Sequence, residues 1–137
     1  MTTVAISGGF DPLHRGHLDY IRAARTLGDR LVVIVNGDAF LTAKKGKPFQ
    51  DLATRAAIVA ALRDVDAVYP FEIDGDMTVC RALEDIQPDV FANGGDRVDP
   101  QTIPEWETCR RLGIILAVGV GGGKIASSSD VLARWNA

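Results

Sequence analysis

The sequence predicts a single α/β domain built on a doubly wound, five-stranded parallel sheet with helices on both faces. Three observations carry that prediction. The 137 residues suffice for one domain of ordinary size. Apolar residues make up 47% and charged residues 24%, a globular balance that needs no disulfide or metal staple. Short apolar bursts alternate about five times with stretches of helical periodicity, the pattern of strands joined by crossover helices. No repeat, low-complexity tract or interdomain linker divides residues 1–137.

Val4-Ala5-Ile6 reads as a first buried strand. From His17 to Leu27, apolar Leu18, Ile21, Ala24 and Leu27 recur at helical spacing until Gly28 stops them. Leu31 to Val35 is rich in β-branched residues, as a strand covered on both faces should be. Gly37 to Gln50 reads as a polar, lysine-bearing loop. Asp51 can cap a helix carrying Leu52, Ala56, Val59, Ala60 and Leu62. Ala67-Val68-Tyr69 is a third strand, and Val79 to Ile86 a helix that Pro88 ends. Val90-Phe91-Ala92 is a fourth strand. Pro104 to Leu112 is helical with Gly113 as its C-cap, Ile114 to Val118 is a fifth strand, and Ser127 to Trp135 a last helix. The order is Rossmann-like, with right-handed crossovers expected.

Composition excludes some functions. A net charge of −3, from 15 basic and 18 acidic residues, argues against nucleic acid as a partner. Cys80 and Cys109 form no CxxC pair, so reduced thiols are expected rather than a zinc ribbon or redox couple. Met1-Thr2-Thr3 has no basic n-region, and the densest apolar run spans only five residues. A cytoplasmic setting and no membrane partner are therefore expected.

In doubly wound sheets ligands sit at the carboxyl ends of the strands. That rule singles out Ser7–His17, Asn36–Lys47, Asn93–Asp96 and Gly119–Ser129. The first is the most informative. Gly8 and Gly9 let backbone approach a ligand closely, and Gly16 removes a side chain where a phosphate would come near. His14 and His17, the only histidines, stand one turn apart at a helix start, where anions are attracted. Two imidazoles there suit charge stabilisation at phosphorus. A zinc set would need a third ligand at fitting spacing, and none is present. The segment is not a P-loop: Gly121-Gly122-Gly123-Lys124 is followed by Ile125, and Val stands at 118. Lys44, Lys45 and Lys47 form the one basic cluster, readable as a solvated face or as a mobile clamp on phosphate. Arg55, near a helix start, reads as a phosphate ligand; Ser127, Ser128 and Ser129 offer hydroxyls beside free helix N–H groups. Asp64, Asp66, Asp74 and Asp76 read as solvated turn residues, with a local capping role open to Asp66.

The run Gly8-x-Phe10-Asp11-x-x-His14-x-Gly16-His17 resembles the signature of the cytidylyltransferase-like nucleotidyltransferases. The likeness continues through Leu27–Val33, Asn36-Gly37-Asp38, Arg55, Val65-Asp66, Asn93-Gly94-Gly95-Asp96 and Ser127-Ser128-Ser129, nearly the whole chain in order. The resemblance implies transfer of a nucleotidyl group from an NTP to a phosphorylated small molecule, with release of pyrophosphate. It implies His14, His17 and Lys44 as catalytic residues. It implies nucleotide contacts from Gly8, Gly9, Phe10, Asp11, Gly16, Asn93, Gly94, Gly95, Asp96 and the three serines. Lys47 and Arg55 would meet the acceptor phosphate. Mg²⁺ would arrive with the NTP, with Asp11 as a candidate to help organise it, and a homodimer is expected. CTP is the first choice of nucleotide and ATP the alternative, with a sugar or polyol phosphate as acceptor. Gly122 stands where glycerol-phosphate members carry Arg, and Gly-Gly-Asp after strand four looks more like the heptose-phosphate adenylyltransferase branch. A non-catalytic nucleotide-binding regulator is the alternative of a different class.

Overall fold

The computed structural model describes residues 1–95, 99–122 and 132. Asp96, Lys124, Ser127–Ser129 and the expected helix from Ser127 to Trp135 lie outside them, or nearly so. Five strands form one sheet: β1 (Thr3–Gly8), β2 (Arg30–Asn36), β3 (Ala67–Phe71), β4 (Val90–Gly94) and β5 (Ile115–Val120). Their order is β3-β2-β1-β4-β5, and every pairing is parallel. The chain moves outward from β1 to β3, then crosses back to β4. The strand order therefore reverses between β1 and β4, which places the ligand crevice at the carboxyl ends of those strands.

The period of two along each strand splits the core into two layers. Val4 and Ile6 of β1 join Leu31, Val33 and Val35 of β2 beneath Ile21 and Ala24 of α1 (Arg15–Arg25). Val59 of α3 (Leu52–Ala60) completes that layer. Ala5, Ile34, Phe71 and Phe91 face the other way, against Ala82 and Leu83 of α4 (Cys80–Ile86) and Cys109 of α5 (Trp106–Leu112). Burial pushes the Cys109 thiol up to about 11, which leaves it unreactive at neutral pH. Both cysteines are free.

At the amino edge of the sheet, aspartates in the turns accept the first N–H groups of neighbouring strands. Asp29 accepts from Thr2, Asp89 from Thr3 and Asp66 from Leu31, at 2.7–2.8 Å. Asp66 also pairs with Arg25 at 3.2 Å, so it is a structural acceptor rather than a merely solvated turn residue. The opposite, carboxyl edge is left for chemistry.

Residues 37–50 differ from expectation. They are not one long loop: α2 (Asp38–Lys45) occupies more than half of them. Gly37 at its N-cap has no side chain to offer, and Glu72, just past β3, supplies the acceptors instead. Its Oε2 accepts from Asp38 N at 2.8 Å and its Oε1 from Ala39 N at 3.0 Å. A Cβ on Gly37 would lie 2.8 Å from the backbone Cα of Glu72, which accounts for the glycine. Leu18 on α1 and Leu27 just past its end are exposed although their spacing suggested core positions. The buried stripe is narrower, with Ile21 and Ala24 on it.

Candidate active site

β1 delivers Gly8 to the carboxyl edge, and six residues turn the chain into α1. Phe10 holds φ at 52°, which is rare for a bulky side chain and costs about 1–3 kcal/mol. In that conformation its buried ring folds back under Gly8 and meets the His17 ring edge-on, with centroids 4.9 Å apart. A Cβ on Gly8 would lie 2.9 Å from the Phe10 ring, and one on Gly9 2.8 Å from Leu41 Cδ2. Ligand approach is thus not what first requires these glycines. They make room for Phe10 and for α2.

The two histidines build the start of α1. His14 is the N-cap in extended backbone, and its Nδ1 accepts from Gly16 N at 3.1 Å. His17 Nδ1 accepts in turn from His14 N at 3.2 Å. This is a reciprocal cap with imidazoles in the usual roles of hydroxyl and carboxylate. Its chemical consequence is a fixed tautomer. An Nδ1 that accepts carries no proton, so each neutral ring bears its proton on Nε2 and can donate there. The rings are half-buried and stacked, with centroids 3.8 Å apart and planes 19° from parallel. No acidic residue stands in the first turn of α1, so nothing there opposes an anion at the helix N-terminus.

The lysine-bearing segment reaches this loop through Lys45. Its Nζ donates to the Asp11 carbonyl oxygen at 2.8 Å and lies 2.9 Å from Asp11 Oδ2. Lys44 and Lys47 are exposed. The Asp11 side chain is 1% exposed and also accepts from Phe49 N at 2.6 Å and Gln50 N at 2.7 Å. Burial alone would raise its carboxyl, but Lys45 and the two backbone donors outweigh that and hold it below the ordinary 3.8.

Arg55, expected to meet the acceptor phosphate, is buried among protein acceptors. Its side chain is 0% exposed, and its guanidinium is spent on protein acceptors. Nε donates to Gln50 O at 2.8 Å, Nη1 to Gly9 O at 3.0 Å and to Asn36 O, and Nη2 to Asp38 Oδ1 at 2.7 Å. The fork ties together the ends of β1 and β2, the start of α2 and the entry to α3. A phosphate could reach it only by displacing these partners, so here it is a pin beneath the site, not a surface for ligand.

Across the crevice, Asn93 and Gly94 end β4, and Gly95 follows in a turn. Tyr20, one turn after His17, bridges the gap: its hydroxyl donates to Ala92 O. Desolvation pushes that phenol up, so it stays protonated and a donor. A Cβ on Gly94 would lie 3.0 Å from the Tyr20 ring, and one on Gly121 3.0 Å from Tyr20 Cα. Gly95, with φ of 77°, has open space around it. Asp96, Ser127, Ser128 and Ser129 lie outside the described residues.

Among the described residues no three His, Cys, Asp or Glu side chains converge. Both Asp11 oxygens already have donors. The described residues therefore do not fit a protein-held Mg²⁺ at Asp11. Among them, too, no helix is long and apolar enough to cross a membrane.

Glu72 and Tyr20 are absent from the sequence-based site, and Lys45 stands there only as one member of the basic cluster, with Lys44 preferred. Lys45 had a signal: it stands four residues after Leu41, the buried residue of α2, on the same helical face. Glu72 had none, because the helix it caps lies 34 residues earlier.

Comparison with known proteins agrees with this geometry. Residues 5–117 match the cytidylyltransferase-like family. Bifunctional protein HldE of Nitrosococcus oceani is 47% identical over 100 residues, 72% of this chain and 20% of that protein. HldE of Haemophilus ducreyi is 39% identical over 136 residues, 98% of this chain and 28% of that one. The chain thus spans about a fifth to a quarter of these relatives' length. The crystal structure of a lipopolysaccharide core biosynthesis protein from Thermoplasma volcanium superposes with a TM-score of 0.72 at 29% identity, covering 87% of this chain and 94% of that one. With a family match across most of its length and the reciprocal histidine cap at the crevice, the chain belongs to the cytidylyltransferase-like family.

Proposed function

We propose that the chain is a nucleotidyltransferase that transfers an adenylyl group from ATP to a heptose phosphate and releases pyrophosphate. The observation that carries the chemistry is the histidine pair. Both Nδ1 atoms accept from backbone N–H groups, which fixes each neutral ring as the Nε2–H tautomer at a helix N-terminus with no acidic residue in its first turn. Such preorganised donors stabilise charge that develops on phosphate oxygens. A phosphate oxygen of the acceptor attacks the α-phosphorus of the nucleotide. The bond from that phosphorus to the bridging oxygen breaks, and pyrophosphate takes the electron pair. The protein's part is positioning and charge neutralisation, with no covalent intermediate. Mg²⁺ enters as part of the nucleotide substrate.

The choice of ATP over CTP reverses the first expectation from sequence. It is supported by Asn93-Gly94-Gly95-Asp96 and by Gly122, the features that resemble the heptose-phosphate branch, and by the HldE relatives. The test is pyrophosphate release with Mg²⁺, a heptose phosphate and either ATP or CTP. Faster release with ATP supports the reading. Release with CTP alone returns it to cytidylyl transfer. Binding without release is the outcome for a non-catalytic regulator.

A further inference from the structure

We propose that Asp11 is a positioning residue: it holds the Lys45 ammonium against the histidine loop as a preformed ligand for a substrate phosphate. This rests on the phosphate chemistry proposed above. An ammonium has three N–H donors. Two of Lys45's are directed to a single residue, one to the Asp11 carbonyl and one to Oδ2, at 2.8 and 2.9 Å. Fixing two fixes the direction of the third, three residues ahead of His14 in the chain. The lysine stem is long and flexible, so an unheld ammonium would have to be ordered by the ligand at the ligand's expense.

Asp11 suits this task. It is buried, and its other contacts, to Phe49 N and Gln50 N, anchor it to the segment that follows α2. Its charge is spread over those donors, and its oxygens are already engaged, so an incoming phosphate meets the ammonium and not a bare carboxylate. Lys44, by contrast, is exposed on α2.

The phosphate could belong to the nucleotide or to the acceptor. The experiment is a double-mutant cycle of Asp11→Asn, Lys45→Ala and the double variant. Equilibrium binding is measured with α,β-methylene-ATP plus Mg²⁺ in one arm and a heptose phosphate in the other. Each single variant should weaken one ligand about tenfold, the scale of a hydrogen bond to a charged group. The double variant should be no weaker than the worse single one, because Asp11 acts through Lys45. The arm that shows the coupling identifies the phosphate. Losses that add, or an Asp11→Asn protein that binds both ligands normally, overturn the proposal. Should Asp11→Asn not fold, wild-type protein labelled with ¹⁵N-lysine decides. Lys45 should give an ammonium signal protected from exchange that shifts when pyrophosphate is added. A signal lost to exchange or unmoved by pyrophosphate overturns the proposal. If wild type binds and shows the coupling but releases no pyrophosphate, the pair stands and the adenylyl-transfer reading fails. If it releases pyrophosphate while the losses add, the reverse holds.

Discussion

Replacing Arg55 with Ala separates two roles that its sequence position cannot distinguish. A phosphate ligand would cost binding and little stability. A buried pin would cost stability first. The substitution leaves the carbonyls of Gly9, Asn36 and Gln50 without their donor and opens a cavity in a fully buried site. The Asp38 carboxylate, 41% exposed, can turn to water, so the loss is less than for a wholly buried pair. Three acceptors at about 1 kcal/mol each, plus the cavity, give a loss of about 3–5 kcal/mol. For a chain of this size that is a fall in Tm of about 10–15 °C. Arg55→Lys keeps the charge but not the planar fork, and should lose roughly half as much. Denaturant unfolding of the three proteins measures it. If Arg55→Ala unfolds within about 1 kcal/mol of wild type yet no longer binds nucleotide or acceptor, the pin is refuted and the phosphate role restored.

Other outcomes follow from the same geometry. His17→Ala should cut the rate of pyrophosphate release about 10²–10³-fold, the scale of losing one preorganised donor. His14→Asn keeps a good N-cap but has no Nε2, so turnover should fall similarly while the unfolding midpoint stays near wild type. Glu72→Ala removes the acceptor for Asp38 N and Ala39 N and should lower stability by about 1–2 kcal/mol in denaturant unfolding. Asp11 gives a pH signature. Its folded carboxyl lies below the ordinary 3.8, so its contribution is fully present above about pH 4 and lost as pH falls through the folded value. The stability gap between wild type and Asp11→Asn, followed by unfolding from pH 6 down to 2, should therefore shrink on the acid side.

The strands and the histidine loop were legible because their signals are contiguous. The β-branched run at Leu31–Val35 and the ten residues from Gly8 to His17 each carry their pattern within one stretch of chain. α2 was not legible. Gly37, Gly46 and Pro48 read as loop punctuation, and the carboxylate that starts the helix comes from Glu72 on another strand end. The burial of Arg55 was hidden for a similar reason: its acceptors come from three separate segments, and only the fold brings Gly9, Asn36 and Gln50 to one guanidinium. Choosing Lys45 over Lys44 depends on helical register, which has no meaning until the helix itself is known. At Gly8 and Gly9 the constraint is a packed side chain, a contact invisible before Phe10 and Leu41 are placed.

The central claim is adenylyl transfer at the histidine loop. The most direct measurement is ³¹P NMR of one mixture holding the protein, Mg²⁺, equal ATP and CTP, and a heptose phosphate. Adenylyl transfer should give a sugar–nucleotide diphosphate carrying adenine, pyrophosphate in equal amount, and CTP left intact. A cytidine product, or nucleotides that remain unchanged beside unchanged heptose phosphate, would contradict it.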